Sequence, residues 1–310
     1  MSRKLYRLIY QKMIPPGLKE RAYSIFLNKA SKIHSLGAII KSRSEYTMCQ
    51  IDDGAEVISY IGLSSDREII PYMQARKENW AANEMILFRK IVSKYYNDDR
   101  IDQPRYFVDI GANIGTTFIY FKRVIDKDVK VLAFEPDSMN YKVAKINTLL
   151  NSLESDVILE NYGVGEKEET KILYKHPENP GGNSIVNSPS DLKETIRVVS
   201  LDEYLEDKDI DREYISYIWV DTEGYEPYVL FGAKKLLSEY HIPLFMEFNP
   251  PVYKQFPEVF NKMVELLDDC YSKFIMVKEA ETGSYVEHKI KELYDLREMD
   301  TQLGDIVFIN

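Results

Sequence analysis

Carboxylates and glycines, rather than histidines or cysteines, carry the chemistry this sequence offers. The densest group is Val108-Asp109-Ile110-Gly111-Ala112-Asn113-Ile114-Gly115, where a short apolar run ends and a helical pattern begins. Glycines at such a junction let the backbone turn tightly and approach a ligand closely. The helix start adds free N–H groups. The next apolar run ends in Phe134-Glu135-Pro136, which places an acid where it can accept both hydroxyls of a ribose. A third group, Asp221, Glu223 and Glu226, follows Val220, and Glu247 lies at the end of the run after that.

Two ligands use a glycine loop of this kind, a dinucleotide and S-adenosylmethionine. The dinucleotide pattern is G-x-G-x-x-G, with the pyrophosphate at the helix start. Here the spacing is Gly111-x-x-x-Gly115, and Asn113 stands at the expected glycine. Asp109 would repel a pyrophosphate but can pair with the ammonium of a methionine moiety. In an open parallel sheet, ligands bind beyond the carboxyl ends of the strands. Asp221 and Glu223 are therefore expected to face the cofactor or the acceptor, and Glu247 to reach the same crevice. Clustered acids raise at least one pKa, which suits a general base for an acceptor that loses a proton. Asp221 is equally placed to cap a helix. The spacing matches no dedicated metal loop, so no metal is expected. Of the four histidines, His34, His176, His241 and His288, each is expected at the surface. A nicotinamide-dependent oxidoreductase and a non-catalytic binding protein that keeps the cofactor fold are the competing readings.

The elements that must hold these residues follow from periodicity. After Pro104, near-continuous apolar runs alternate with helical stripes. Strands are expected at Tyr106–Ile110, Val129–Phe134, Val157–Leu159, Ile215–Val220, Leu244–Phe248, Phe274–Val277 and Asp305–Ile309. Helices are expected over Thr116–Val124, Met139–Leu150, Val229–Tyr240 and Phe256–Leu267. That alternation predicts an α/β fold, a doubly wound, mostly parallel sheet covered on both faces. The stretch from about Thr170 to Val199 breaks the rhythm and reads as an inserted hairpin around a loop from Pro177 to Pro189. Its Gly181-Gly182-Asn183-Ser184 run is a polar loop suited to closing over an acceptor. Upstream, Tyr46–Ile51 and Val57–Ile61 flank Asp53-Gly54 as a hairpin, and a helix is expected over Asn79–Tyr96. We divide the chain into an N-terminal helical and hairpin extension, 1–78, and a main domain, 79–310.

Composition narrows the class. The chain has 310 residues, 45% hydrophobic and 29% charged, enough for one full-sized core. A net charge of −10 argues against nucleic-acid binding. The first 43 residues depart from it, with ten Lys or Arg against one acid, Glu20. They read as two basic amphipathic helices split by Pro15-Pro16-Gly17. Such a segment suits an anionic membrane or a partner, although packing on the main domain with a solvated basic face is the simpler expectation. Cys49 and Cys270 lie far apart, so no disulfide framework is expected. No run is long and apolar enough for a transmembrane helix, and no secretory signal is visible. A cytoplasmic protein, peripheral to the inner face of the membrane if the basic segment binds lipid, is the expectation.

In order, Val108–Gly115, Phe134–Pro136, Val199-Ser-Leu-Asp-Glu203, Trp219-Val-Asp-Thr-Glu-Gly-Tyr-Glu226, Leu230-Phe-Gly-Ala-Lys234 and Met246-Glu-Phe248 resemble the FkbM-type methyltransferases. The resemblance runs from roughly Asn83 to Phe248. It implies a seven-stranded S-adenosylmethionine-dependent fold whose last strand is antiparallel. It also implies an O-methyltransferase acting on a glycan sugar or related natural product. Carried onto this sequence, the cofactor would meet Asp109, Gly111, Ala112, Asn113, Gly115, Glu135, Pro136, Asn161 and Asp221. Catalysis would fall to Asp221, Glu223 and Glu247. The chain departs from the family pattern at Asn161-Tyr-Gly-Val-Gly165 and at Thr222.

Overall fold

The computed structural model describes residues 46–54, 56–96, 104–176, 178–186, 191–300 and 304–310. The basic segment and its two expected helices lie outside them. The first described strands, β1 (Tyr46–Asp52) and β2 (Val57–Leu63), form the expected hairpin. A helix not expected from the sequence, α1 (Ile69–Arg76), follows, and α2 (Ala82–Tyr95) begins three residues later than expected. Asp66 explains α1: its carboxylate accepts from the Glu68, Ile69 and Ile70 amides, supplying partners for the helix start.

The main sheet then assembles. The chain runs through β3 (Tyr106–Ile110), α3 (Thr116–Tyr120) continued by a π turn over Phe121–Ile125, β4 (Lys130–Phe134), α4 (Ser138–Leu150) and β5 (Val157–Glu160). The inserted segment supplies β6 (Gly163–Val164), β7 (Glu169–Tyr174) and β8 (Lys193–Val199). These make their own three-stranded sheet in the order β6-β8-β7. After α5 (Leu201–Asp207) come β9 (Ile215–Val220), α6 (Glu226–Gly232), α7 (Lys234–Glu239) and β10 (Leu244–Phe248). The helix expected over Val229–Tyr240 is thus two helices. Their break falls at Ala233, and Asp202 accepts from the Lys235 and Leu236 amides that open α7. The chain ends with α8 (Pro257–Cys270), β11 (Lys273–Met276) and β12 (Gly304–Ile309). The seven-stranded order is β11-β12-β10-β9-β3-β4-β5, parallel except for β12, which runs antiparallel to both neighbours. This is the expected Rossmann-like sheet.

Strand alternation sends side chains to two cores. Val108, Ile110, Leu132, Phe134, Val220, Met246 and Phe248 face α5 through α8. Phe107, Ala133, Trp219, Phe245 and Val307 face α2 through α4 and share their cluster with the hairpin's Ile51, Ile58 and Tyr60. Two asparagines, Asn147 on α4 and Asn151 at its C-terminal cap, dock the hairpin. Asn147 accepts from the Ile61 amide at 2.7 Å and donates to the Ile61 and Ile114 carbonyls. Asn151 does the same for Ser59. Spaced i, i+4, they face one way and replace the missing neighbour strand of β2. Cys49 and Cys270 are both free and buried. Among the described residues, no helix is long and apolar enough to cross a membrane.

Candidate functional site

The glycine loop leaves the end of β3 with Gly111, Asn113 and Gly115 all at positive φ, +93°, +50° and +87°. The Gly111 and Ala112 amides both donate to the Phe134 carbonyl, which fixes the loop between β3 and β4. A Cβ on Gly111 would lie 1.7 Å from the Asp221 carbonyl oxygen, so only glycine fits where the two loops touch. Beside them a crevice, open to solvent at its mouth, runs along the carboxyl edge of the sheet. Gly111, Asn113, Glu135, Pro136, Asp221 and Glu223 line it, with Tyr162, Val164, Leu173 and Ile185 forming an apolar end.

Glu135 is 5% exposed and held rigidly. Its Oε2 accepts from the Asn113 amide and its Oε1 from the Asp137 amide, each at 2.7 Å. Each oxygen keeps one lone-pair direction for a further donor. Burial, and then the Asp137 charge, push this carboxyl up to about 8.

Several sequence expectations need correction. Asp109 does not line the crevice. It lies between Val108 and Ile110 on β3 and so points to the opposite face of the sheet. There it is 0% exposed, with neither oxygen in a hydrogen bond. The Phe118 amide is near enough to favour its charge but not in bonding geometry. Burial and the charge of Asp221 raise it well above the usual carboxylate range. Ala112 is buried in that same core and Gly115 packs on Phe118, so neither opens to the crevice. Asn161 works on the backbone instead: its amide donates to the Glu135 and Pro136 carbonyls at 2.9 and 3.0 Å. Asp221 caps no helix, because α6 starts only at Glu226.

The acidic loop after β9 is caged by Glu226, which is 0% exposed. Its Oε1 accepts from the Thr222 amide, the Thr222 hydroxyl and the Gly224 amide, and its Oε2 from the Tyr253 hydroxyl at 2.8 Å. The departure at Thr222 therefore has a use, since its hydroxyl is one of the four donors. The cage holds Glu223 at φ +55° and Gly224 at φ +99°, two left-handed residues in succession. Asp221 opens to solvent at the crevice floor, yet crowding by its surroundings, and then repulsion from Glu226, carry it up to about 7. Burial, followed by the charges of Asp221 and Glu226, carries Glu223 up to about 8. Glu247, buried at the end of β10, is raised well above its ordinary range by burial and then by Asp221, Glu226 and Glu223.

The structure brings the three expected catalytic acids together: one carboxylate oxygen from each of Asp221, Glu223 and Glu247 lies within 4.8 Å of the others. The sequence spacing predicted no metal, but a trio this close could hold a divalent cation as readily as it could share a proton. The described histidines stay outside the crevice: His176 accepts backbone amides, His241 meets Asn310, and His288 bonds Glu279 and Glu292. Sequence reasoning missed Asp137, which caps α4 through the Met139 and Asn140 amides and also meets Lys175 and Asn183. An aspartate just before a helical pattern is the signal that could have found it.

With this geometry in place, comparisons with known proteins give a consistent picture. The chain is 32% identical over 101 residues to Methyltransferase sdnD of Sordaria araneosa, covering 32% of this chain and 39% of that protein. It is 28% identical over 94 residues to Methyltransferase 1 of Beauveria bassiana (strain ARSEF 2860), covering 30% and 37%. The match thus spans well under half of either curated relative. A crystal structure of Methyltransferase FkbM from Methylobacillus flagellatus KT superposes on 78% of this chain and 65% of its own, with a TM-score of 0.41 and 16% identity. The sequence pattern of the Methyltransferase FkbM domain matches residues 109–274, from the acid of the glycine loop into β11. That stretch holds the whole crevice and is more than half of the chain, which therefore belongs to the FkbM methyltransferase domain family.

Proposed function

We propose that this protein transfers a methyl group from S-adenosylmethionine to a hydroxyl of a glycan sugar or related natural product. The observation that carries the donor half is Glu135. It is clamped by two amides with one acceptor direction left on each oxygen, and it stands in a crevice whose other end is apolar. A ribose diol would donate to those directions, and an adenine would lie among Tyr162, Val164, Leu173 and Ile185. The ammonium of the methionine tail would meet Asp221, which faces the crevice, rather than Asp109, which does not. An acid-lined crevice repels a pyrophosphate, which disfavours the nicotinamide reading.

When bound, the donor supplies a methyl carbon already activated by its sulfonium. The chain's share of the reaction is positioning and proton transfer, and positioning alone can lower such a barrier by roughly 7–11 kcal/mol. Glu223, pushed to about 8, suits the acceptance of the acceptor's hydroxyl proton as its oxygen attacks, with Glu247 beside it. A second reading is favoured by the 4.8 Å trio: a divalent cation held there would acidify the acceptor hydroxyl in place of a carboxylate base. A polar, hydroxyl-rich acceptor suits an acidic crevice. The basic N-terminal segment supports work at the inner face of a membrane on a surface glycan.

Calorimetric titration with S-adenosylhomocysteine and with NAD tests this reading. We expect the nucleoside product to bind and NAD not to. Glu135→Ala should bind it about 10- to 100-fold more weakly, as expected for the loss of one hydrogen bond to a carboxylate at about 1.5–3 kcal/mol. Binding of NAD with no heat from S-adenosylhomocysteine would end the reading.

A further inference from the structure

The inserted segment crosses from the donor end of the crevice to the acidic loop and is bonded at both. At the donor end, the Asn140 side chain donates to the Pro180 carbonyl at 2.9 Å. The Asn183 side chain donates to Asp137 Oδ2 at 3.2 Å, and Lys175 pairs with the same oxygen at 2.8 Å. Asp137 in turn gives its own amide to Glu135, the residue assigned to the ribose. Behind the strap, the Arg67 amide donates to the Glu178 carbonyl, so the N-terminal extension buttresses it.

At the acidic end the connection among the described residues is made by Ser184. Ser184 is 5% exposed and pairs through its backbone with Tyr174 in both directions, at 2.9 and 3.0 Å. Its hydroxyl accepts from the Val186 amide at 3.2 Å and donates to the Glu223 carbonyl at 2.9 Å. That carbonyl belongs to the residue at φ +55°, a conformation that persists only when its surroundings hold it. The Glu226 cage holds the amide side of the loop, and Ser184 holds the carbonyl side.

Resting on the proposed donor site, we propose that Ser184 is a positioning residue: through the Glu223 carbonyl it ties the placement of the acceptor-side acid to occupancy of the donor crevice. Ligand against Glu135 and the Asp137 loop stiffens the strap, and the strap fixes the Glu223 turn through one hydroxyl. A donor-loaded protein therefore presents its acceptor acids in a set geometry, whereas the unloaded protein leaves that turn looser.

Hydrogen exchange followed by mass spectrometry on the full chain, with and without S-adenosylhomocysteine, tests this. In the wild type the probe should slow exchange both at residues 111–115 and 135–140 and at residues 222–226. In Ser184→Ala the affinity for the probe should stay within about 3-fold, and the donor-side protection should remain. The added protection at 222–226 should fall at least 10-fold, and Ser184→Thr should restore it. Unchanged protection at 222–226 in Ser184→Ala would overturn the coupling. So would a loss of probe affinity that tracks the loss of protection, because that is what a merely structural serine would give. A wild type that binds no S-adenosylhomocysteine removes the donor site itself, and the coupling with it.

Discussion

Glu226→Gln separates two jobs of one buried carboxylate. Oε1 serves three donors, and the carbonyl oxygen of glutamine can keep all three. The new amide can donate to the Tyr253 hydroxyl oxygen, whose own proton retains the Glu247 carbonyl at 3.3 Å. The loop should therefore survive at a cost of about 1 kcal/mol. What disappears is the negative charge that raises Asp221, Glu223 and Glu247. At an effective dielectric near 20, a like charge a few ångströms beyond contact is worth roughly 1–3 kcal/mol, or about 1–2 pKa units. Asp221 opens to solvent, so about one unit downward is the expectation for it. Calorimetric titration with S-adenosylhomocysteine from about pH 5.5 to 9, in two buffers of different ionisation enthalpy, counts the protons moved on binding. A cationic amine favours ionised Asp221, so wild-type binding should release protons near neutral pH. The release should vanish at high pH, where the acids are already ionised. Glu226→Gln should move the release curve toward acid by about one unit. Glu226→Ala has no oxygen for the four donors and should lose about 3–5 kcal/mol of stability and most of its affinity. A glutamine variant that folds normally with the wild-type release curve, or a wild type that moves no protons at any pH, would refute this reasoning.

Other perturbations follow from the same geometry. Asn147→Ala strips partners from the Ile61 amide and from two carbonyls, a loss of about 3–5 kcal/mol that should lower the thermal midpoint by roughly 6–15 °C in calorimetry. Gly111→Ala meets the Asp221 carbonyl at a left-handed backbone position. It should weaken S-adenosylhomocysteine binding at least about 100-fold in titration while the far-ultraviolet circular dichroism of the sheet persists. Because Glu135, Asp221 and Glu223 are raised in the fold, the unliganded protein gains stability from their protonation. That gain is complete below about pH 4 and is lost as pH rises through about 8, so the melting temperature should fall across this window. Millimolar Mg²⁺ should leave the melting temperature unchanged to within about 1 °C. A clear rise that Glu247→Gln abolishes would give the acidic trio to a metal instead.

The donor half of the site was legible because backbone constraints write themselves into residue type. A loop with three positive-φ positions in five demands glycine or asparagine, and Gly111, Asn113 and Gly115 stand there. The sheet was legible for a similar reason, since each buried strand is an apolar run of the right length. The hairpin was visible in Asp53-Gly54, but its docking was not. Asn147 and Asn151 look polar and solvated in a helical pattern, and only the β2 edge behind them reveals their task. Asp66 and α1 were missed because a three-amide cap over eight residues leaves little periodicity to detect. The Val229–Tyr240 helix was read as continuous because Gly232 interrupts no apolar stripe. Its break is held by Asp202, remote in sequence, whose carboxylate accepts from the Lys235 and Leu236 amides.

Strand alternation shows why Asp109 was misplaced and what it does instead. Val108, Ile110, Val220, Met246, Phe248 and Ile306 face one core. Asp109, Glu247 and Asp305 occupy the alternate positions of β3, β10 and β12 and so share the other face, and Asp221 follows directly on the end of β9 between them. Glu247 and Asp305 are direct partners in the β10–β12 register. Each of the four is raised: Asp109, Glu247 and Asp305 by burial first and the charge of Asp221 second, and Asp221 by the crowding around its carboxyl and then by Glu226. Such a row is tolerable near neutral pH only while it holds protons. Asp109, buried without a hydrogen-bond partner, is pushed toward its protonated form by burial and by repulsion from Asp221, and it touches no ligand. A cationic amine brought to Asp221 relieves that repulsion and releases protons from the row. Binding the donor would thus turn the neighbouring acids from proton holders into proton acceptors, the state a hydroxyl acceptor needs.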